Sequence, residues 1–229
     1  MIFFTGDTHG QGDKLLRHIR RFDLGAEDVI VILGDAGFNY YCDGRDIPFK
    51  RQINDTGVTA FCIHGNHEQR PYALKAYHEV NWRGGVAYVE DAFPNLLFAR
   101  DGEVYDLDGR QAIAIGGAYS VDKNLRLMAG ANWFENEQPD ATIRSRVEAV
   151  LEQRGWSADV VLSHTCPEKY IPFDALIPGT DQRTVDRSTE KWLDSIENKL
   201  SYTKWLCGHW HIDRAVDKVR FLMEDFVAL

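Results

Sequence analysis

Side chains that can bind metal ions follow short apolar segments at five places along the chain. These places are Gly6-Asp7-Thr8-His9, Gly34-Asp35, Gly65-Asn66-His67-Glu68, Ser163-His164 and Gly208-His209-Trp210-His211. Carboxylates and imidazoles without a thiolate are typical ligands of manganese, iron, zinc or magnesium-class ions. The pattern therefore predicts a metal site with seven candidate ligands, which are Asp7, His9, Asp35, Asn66, His164, His209 and His211.

Seven candidate ligands are more than one four-coordinate metal ion can use. They suit a centre of two metal ions about 3.5–4 Å apart, with one carboxylate bridging both ions. Asp35 is the expected bridge because its segment supplies only one candidate ligand.

The apolar segments in front of these ligands predict β-strands, and amphipathic stretches between them predict helices. This alternation indicates an α/β architecture. In an open α/β sheet the carboxyl ends of the strands line the ligand crevice. We therefore expect neighbouring strands to bring the ligands to one place. A glycine precedes the ligand in four of the five segments and permits a sharp turn and a close backbone approach.

Three stretches carry apolar residues at helical spacing. The first contains Leu15, Ile19 and Phe22. The second contains Ile143, Val147, Val150 and Leu151, with Asp140 as its expected N-cap. The third runs from Ser188 to Leu200. Each stretch is expected to pack one apolar face against a sheet.

The segment between residues 96 and 118 is expected to be antiparallel. Asp101-Gly102 and Asp108-Gly109 interrupt its apolar runs, and such dipeptides indicate hairpin turns. The sheets should therefore be mixed rather than purely parallel. Weak periodicity predicts long loops at residues 38–54, 122–138 and 167–186, and loops of this length often cover or line a binding site.

The whole-chain composition is that of a globular protein. The 229 residues are 44% hydrophobic, and we find neither an internal repeat nor a linker, which predicts one domain over 1–229. No apolar run approaches the roughly 18 residues of a membrane helix. The N-terminal residues lack the features of a secretory signal, so a cytoplasmic protein is expected. The sequence does not indicate an oligomeric state.

The charge balance restricts the partners. The 26 basic and 35 acidic residues give a net charge of −9. An acidic surface repels polyanions, so general binding of duplex nucleic acid is not expected. A small phosphorylated substrate is compatible with this charge because bound cations invert the field of the site locally.

In this order along the chain, the five motifs resemble those of the calcineurin-like metallophosphoesterase superfamily. The matching blocks span residues 7 to 211. The resemblance implies a four-layer αββα fold, in which two mixed sheets pack together with helices outside. It implies that Asp7, His9 and His211 bind one metal ion, that Asn66, His164 and His209 bind the second, and that Asp35 bridges them.

The resemblance also implies a chemistry. A hydroxide between two metal ions would attack phosphorus in line, and the ions would lower the pKa of that water and neutralise phosphoryl charge. No covalent enzyme intermediate is implied. His67 would be the general acid that protonates the leaving oxygen. Manganese is the expected metal, with iron, zinc, nickel or magnesium as alternatives.

The sequence departs from the protein Ser/Thr phosphatase branch, which its GDTHGQ and GNHEQ segments otherwise resemble. That branch continues its second block as Gly-Asp-x-x-Asp-Arg-Gly. Here Phe38 and Asn39 replace the Asp that would orient the acid histidine and the Arg that would hold a phosphate. His64 replaces the Arg usual before Gly-Asn-His-Glu. Monoester dianions favour bidentate arginines, so a phosphodiester substrate, nucleotide-derived for example, is favoured.

Two alternatives remain open. One is a phosphomonoesterase resembling the protein phosphatases, for which Arg45, Arg70 or Arg126 could hold the phosphate from a loop. The other is a non-catalytic scaffold of the same fold, which is less favoured because every ligand and His67 are present. We expect substrate contacts from Arg126 and His64, although His64 could equally support its own loop.

Overall fold

The computed structural model describes residues 1–177 and 179–228. Within these residues the strands are β1 (Ile2–Thr5), β2 (Val29–Ile32), β3 (Thr59–Cys62), β4 (Tyr77–Trp82), β5 (Gly85–Glu90), β6 (Phe93–Ala99), β7 (Val104–Leu107), β8 (Arg110–Ile115), β9 (Val160–Ser163), β10 (Lys204–Cys207), β11 (Arg214–Val216), β12 (Val219–Phe221) and β13 (Val227–Ala228). The α-helices are α1 (Gly12–Phe22), α2 (Ile47–Asn54), α3 (Lys123–Ala129), α4 (Ala141–Gln153) and α5 (Ser188–Glu197).

The strands form two mixed sheets, as the sequence predicts. The first has the order β13-β1-β2-β3-β6-β5-β4, in which β1, β2, β3 and β6 are parallel. The second has the order β11-β12-β10-β9-β8-β7, in which β12, β10, β9 and β8 are parallel. Antiparallel strands occupy the edges of both sheets.

Three separate apolar cores define the layers. The core between the sheets joins side chains of both, such as Phe61 of β3 and Leu162 of β9. A second core packs α1 and α2 on the outer face of the first sheet. A third core packs α4 and α5 on the outer face of the second sheet, around Trp205. This α-β-β-α order confirms the predicted four-layer fold.

The predicted helices are confirmed. In α1, Leu15 and Ile19 lie four residues apart and are both buried, because this spacing places them on one face. In α4, the Asp140 side chain accepts a hydrogen bond from the Ile143 backbone N–H at 2.8 Å, as expected of an N-cap. No helix in the described residues has both the length and the apolar character needed to cross a membrane.

One of the two predicted hairpins is wrong. Asp108-Gly109 joins β7 to β8 in an antiparallel pair, as expected. Asp101-Gly102 instead carries the chain from β6 in the first sheet to β7 in the second. The dipeptide does produce a turn, but β6 already pairs with β3 and β5, so no edge remains there for β7.

Two of the three predicted loops contain helices. Segment 38–54 includes α2, which begins with a proline in its first turn and buries Lys50 and Ile53. Segment 122–138 includes α3, which buries no residue and so has no amphipathic pattern to reveal it. Segment 167–186 has only short 3-10 turns among its described residues, and residue 178 within it lies outside the described part of the chain.

Candidate metal centre

The carboxyl ends of β1, β2, β3, β9 and β10 meet at one end of the two sheets. Backbone hydrogen bonds tie the segments that follow these strands to one another. The His9 N–H donates to the Asp35 carbonyl at 2.7 Å, and the Gly208 N–H donates to the His164 carbonyl at 2.9 Å. This convergence follows from the parallel pairing of β1, β2 and β3 and of β9 and β10, as expected from the sequence.

The first expected ligand group lies together. The Nε2 atoms of His9 and His211 are 3.0 Å apart, and His211 Nε2 is 3.8 Å from Asp7 Oδ1. One potential ligand atom from each of these three residues lies within 4.8 Å of the others. The separations are short enough for one cation to contact all three side chains.

The second expected group lies beside the first. Asn66 Oδ1 is 2.8 Å from His164 Nε2 and 3.1 Å from His209 Nδ1. His164 Nδ1 donates to the Leu33 carbonyl oxygen at 2.8 Å, which directs Nε2 toward this group. Such a hydrogen bond on the far ring nitrogen orients metal-binding histidines.

Asp35 lies between the two groups. Its Oδ2 is 3.9 Å from His9 Nδ1 on one side and 3.6 Å from His164 Nε2 on the other. Asp7, Asp35 and His164 also form a set whose potential ligand atoms lie within 4.8 Å of one another. This is the position that a bridging carboxylate requires.

The buried carboxyl groups among the expected ligands favour bound cations. Asp7 and Asp35 are buried residues whose carboxyl groups lie close to each other. Burial raises the pKa of Asp7 to about 8. Burial also acts to raise the pKa of Asp35, but the His164, His67 and His9 imidazoles hold it well below its usual value. Two bound cations would compensate both carboxylates without requiring protonated imidazoles.

The residues fit a metal centre on two further observations. Asp7 Oδ1 is buried without a hydrogen-bond partner among the described residues, so it is an acceptor that lacks a donor. Burial lowers the pKa of His9, and it lowers the pKa of His211 to about 4, so both rings are neutral at physiological pH. Neutral imidazoles have the free lone pair that a metal ion needs. His164 differs: burial acts to lower its pKa, but the charges of Asp35 and Asp7 raise it to about 9, so this ring would release a proton on binding a metal ion.

Several ligands adopt an unusual backbone conformation. Non-glycine residues with positive φ include Asp7 at 47°, His9 at 46°, Asp35 at 49°, His209 at 65° and His211 at 51°. Each such conformation costs on the order of 1–3 kcal/mol and persists only where the surroundings impose it. Its recurrence at five expected ligands indicates that the fold holds these side chains in place at the expense of local stability.

The glycines before the ligands allow the close approach that the sequence indicates. A Cβ atom on Gly34 would lie closer than 3.0 Å to the His164 ring, and one on Gly65 would lie 2.8 Å from Asp35 Cα. Gly34 also has φ +92°, which L side chains rarely adopt. The ligand segments can therefore pack against each other only with glycine at these positions.

Two supporting residues were not identified from the sequence. The buried Glu68 carboxylate accepts hydrogen bonds from the Ala36 and Gly37 backbone N–H groups, at 3.2 and 3.1 Å, and so joins the segments after β2 and β3. The Ser120 hydroxyl accepts from Asn66 Nδ2 at 2.8 Å, which directs Asn66 Oδ1 toward the histidines. Glu68 follows Asn-His in the chain and could have been found there, whereas Ser120 has no such signal.

His67 lies at the edge of the group of expected ligands. Its backbone N–H donates to Asp35 Oδ1 at 2.9 Å, and its Nε2 is 3.9 Å from Asp35 Oδ2. Phe38 is fully buried against Phe49, so it has no part in orienting this imidazole. Burial lowers the pKa of His67, and the charges of Asp35 and Asp122 oppose that shift.

The open cleft beside the cluster divides into two lobes. The tyrosine lobe has a volume of about 380 Å³ and is bordered by Tyr40, Tyr41, Arg45, Asp46 and Phe49. The apolar lobe has a volume of about 370 Å³ and is bordered by Val121, Leu176, Val185, Glu190, Trp210 and Ile212, among others. Both lobes reach His9, Asp35, His67 and Arg126. The group of expected ligands therefore opens to solvent in two directions.

Arg126 is the arginine that reaches both lobes. It extends from α3, where its Nε donates to Asp122 Oδ2 at 2.7 Å and its Nη1 donates to the Tyr40 hydroxyl at 3.2 Å. Its positive charge lowers the pKa values of His9 and His67, after the larger effect of burial. Arg126 therefore borders the cleft beside the expected ligands, and its contact with a substrate stays a prediction.

Arg70 and His64 lie elsewhere. Arg70 is buried, forms an ion pair with Asp101 and donates to the Asn136 carbonyl. His64 borders a separate cavity of about 20 Å³ together with Arg70. The structure therefore does not bring His64 into the cleft, and its position matches the alternative in which it supports its own loop. Arg45 borders the tyrosine lobe but is paired with Asp43.

Comparisons with known proteins bear on the family and on the fold. The family model described as calcineurin-like phosphoesterase matches residues 1–213. Similar solved structures include one crystal structure with 15% identity and a TM-score of 0.52, covering 96% of this chain and 88% of that chain. Phosphopantetheinyl hydrolase (PptH) from Mycobacterium tuberculosis has 16% identity and a TM-score of 0.49, covering 97% and 87%.

TT1561 of Thermus thermophilus has 12% identity and a TM-score of 0.48, covering 91% of this chain and 80% of that chain. No match was found among curated proteins. The solved structure with the TM-score of 0.52 supports the fold alone, whereas the family model covers most of the sequence, including all seven expected ligands. The chain therefore belongs to the calcineurin-like phosphoesterase family.

Proposed function

We propose that this protein is a two-metal phosphodiesterase. Membership of the family supports a metal-dependent phosphoester hydrolase, and the division of the cleft carries the choice of a diester. The two lobes have similar volumes, about 380 and 370 Å³, and meet at the metal cluster. A phosphodiester has two organic substituents, one for each lobe, whereas a monoester has one.

The proposed metal ligands are divided as the motifs imply. Asp7, His9 and His211 would hold one ion, Asn66, His164 and His209 would hold the other, and Asp35 would bind both. When bound, two cations lower the pKa of an attacking water and neutralise charge on the phosphoryl oxygens. We propose manganese, with iron, zinc, nickel and magnesium as alternatives, because oxygen and imidazole ligands suit all of these ions.

We assign proton delivery to His67. The imidazole borders both lobes, so it reaches an ester oxygen that points from the cluster into either lobe. It donates its proton to the oxygen of the departing substituent as the bond from phosphorus to that oxygen breaks. Its backbone N–H, bonded to Asp35 Oδ1, keeps the imidazole at a fixed place beside the metal ligands.

Arg126 is assigned to a non-bridging phosphoryl oxygen. A phosphodiester has one negative charge, whereas a phosphate monoester carries a charge of roughly −1.5 to −2 at pH 7. One guanidinium beside the cluster suits the smaller charge. Asn39 contributes nothing here, because it is buried and its amide bonds Tyr77 and Gln69. Arg126 is also the observation that favours the second candidate, a phosphomonoesterase, since it could supply the arginine missing at Asn39.

The charge and composition of the protein bear on its domain organisation, its compartment and its partners. We propose that residues 1–229 work as one domain on a small phosphorylated substrate in the cytoplasm. The net charge of −9 disfavours duplex nucleic acid as a partner.

The test compares bis(4-nitrophenyl) phosphate with 4-nitrophenyl phosphate, which share a leaving group. With the manganese-loaded protein, we expect kcat/KM to be at least tenfold higher for the diester. A tenfold preference for the monoester, about 1.4 kcal/mol in transition-state binding, would refute the phosphodiesterase and support the second candidate. Asp35→Asn should abolish turnover of both esters and reduce metal content.

The matched control is Asp91→Asn, whose carboxyl group is 96% exposed and remote from the cleft. This variant should keep both activities and the full metal content. Full activity and metal content in Asp35→Asn as well would contradict the bridging role.

A further inference from the structure

The apolar lobe contains a buried carboxyl group that the proposed hydrolysis does not use. Glu190 lies on α5, borders the lobe and is 4% exposed. Its Oε1 accepts a hydrogen bond from the Thr165 hydroxyl at 2.8 Å. Its Oε2 is buried and has no hydrogen-bond partner among the described residues. A buried acceptor without a donor is costly, so a donor supplied by a ligand would be favourable.

The walls of the lobe are suited to a flat ring. Val121, Leu176, Val185 and Ile212 present apolar side chains, and Trp210 adds an aromatic one. Small-molecule sites combine such apolar walls with a few polar groups that fix orientation. The volume of about 370 Å³ accommodates a heterocycle with its attached sugar.

The charged residues beside Glu190 have both signs. Burial raises the pKa of Glu190 to about 7, the negative charge of Asp186 adds to that shift, and the positive charge of Arg187 opposes it. Arg187 also borders the lobe, where its Nη2 donates to Gln182 Oε1 at 2.9 Å. Asp186 and Arg187 both border the lobe with opposite charges, so the choice of a neutral N–H donor rests on the apolar walls around Glu190.

We propose that the apolar lobe binds a nucleobase and that Glu190 accepts hydrogen bonds from its N–H edge, with guanine as the preferred base. Guanine presents a ring N–H beside an exocyclic amine, and two adjacent donors match the two oxygens of one carboxylate. Adenine and cytosine place an acceptor beside the amine, and uracil flanks its N–H with two acceptors. This inference rests on the proposed phosphodiesterase and names the class of its substrate as nucleotide-derived diesters.

The experiment uses the 4-nitrophenyl 5′-phosphodiesters of guanosine, adenosine, cytidine and uridine with the metal-loaded full chain. We expect kcat/KM for the guanosine ester to exceed the others by about tenfold or more, because a site built for hydrogen bonds rejects ligands that lack them. Glu190→Gln keeps an oxygen that accepts from Thr165 but places an amide NH2 donor where Oε2 of the glutamate lies. It should reduce the ratio of guanosine ester to bis(4-nitrophenyl) phosphate turnover by about tenfold.

Controls separate recognition from folding. Glu152→Gln removes an exposed carboxylate on α4, outside the cleft, and should preserve the guanosine preference. Val185→Phe narrows the lobe and should lower kcat/KM for all four nucleoside esters. Equal kcat/KM values for the four bases, or an unchanged preference in Glu190→Gln, would overturn the proposal. A preference for 4-nitrophenyl phosphorylcholine over the nucleoside esters would overturn it in favour of a cationic ligand.

Binding provides a readout that is independent of turnover. We expect guanosine 5′-monophosphate to bind the metal-loaded protein about tenfold more tightly than adenosine 5′-monophosphate, and Glu190→Gln to remove this difference. If bis(4-nitrophenyl) phosphate is not hydrolysed, the phosphodiesterase proposal fails, while this comparison still decides whether the lobe recognises the base. Equal affinities of the two nucleotides would refute base recognition by Glu190.

Discussion

Replacing Gly65 by alanine should damage the metal centre although no expected ligand is itself replaced. An added Cβ would lie 2.8 Å from Asp35 Cα, and closer still to Asp35 Oδ1 and the Asp35 backbone nitrogen. Ordinary contact begins at 3.4 Å, so the segments after β2 and β3 must separate by about 1 Å. The obstacle is backbone rather than the end of a flexible side chain, so Asp35 itself must move.

The expected magnitude follows from this displacement. A shift of about 1 Å at a catalytic group can cost 10²-fold in rate, and overpacking costs about 1–3 kcal/mol of stability. We therefore expect Gly65→Ala to lose on the order of 100-fold in kcat for bis(4-nitrophenyl) phosphate. Its metal affinity should also fall, by about 10–100-fold, because the expected bridging carboxylate is displaced.

The assay combines metal content by elemental analysis, kcat at saturating metal, and thermal unfolding. Gly25→Ala is the matched control, because a Cβ at Gly25 meets nothing within 4 Å and its φ is not in the left-handed region. This control should match the parent protein in all three measurements. If Gly65→Ala kept the metal content and kcat of Gly25→Ala within twofold, the close packing of Gly65 on Asp35 would not position the centre as argued.

Three further predictions concern single side chains. His67→Ala should cut the rate by about 10²–10⁴-fold with an alkyl leaving group and less with nitrophenolate, and equal losses would exclude its role as general acid. Arg126→Ala should lower kcat/KM by about 10–100-fold, mainly through KM, whereas replacing the exposed Arg20 by alanine should leave kcat/KM unchanged. If Arg126→Ala and Arg20→Ala had identical kinetics, a contact between Arg126 and the phosphate would be excluded. In metal-free protein, folded Glu190 with a pKa of about 7 keeps a proton that the unfolded chain loses above its usual value of 4.5. The free energy of unfolding should fall as the pH rises from 4.5 to about 7, by on the order of 3 kcal/mol for this group. Urea unfolding of Glu190→Gln should show a smaller fall. If the unfolding free energies of the two proteins changed equally with pH, the effect of burial on Glu190 would be contradicted.

The sequence by itself determined the expected ligands and the strands that carry them. An apolar segment that ends at a glycine and an aspartate or histidine is a local pattern, and β1, β2, β3, β9 and β10 all end where that pattern predicts. The helices α1, α4 and α5 were predictable for the same reason, since their apolar spacing is local. The convergence of the strand ends could be inferred because parallel strands in a sheet share one carboxyl edge.

Only the tertiary structure decided which other side chains join the site. The sequence allowed either Arg126 or Arg70 to hold a phosphate from a loop, yet the first reaches the cleft and the second is buried with Asp101. Ser120 meets Asn66 across 54 residues, and Glu190 meets Thr165 across 25. The turn at Asp101-Gly102 joins two sheets instead of making a hairpin because β6 has both neighbours already.

The physical reason is that these contacts depend on packing between distant segments. A strand end or a cap is set by hydrogen bonds and side chains within a few residues, so its signal is present in the local sequence. The two lobes of the cleft are lined by segments that follow β1, β2, β3, β8, β9 and β10, and the paths of these segments depend on how the layers pack. The sequence therefore determined the expected chemistry of the metal centre, whereas the shape of the substrate site was decided by the fold.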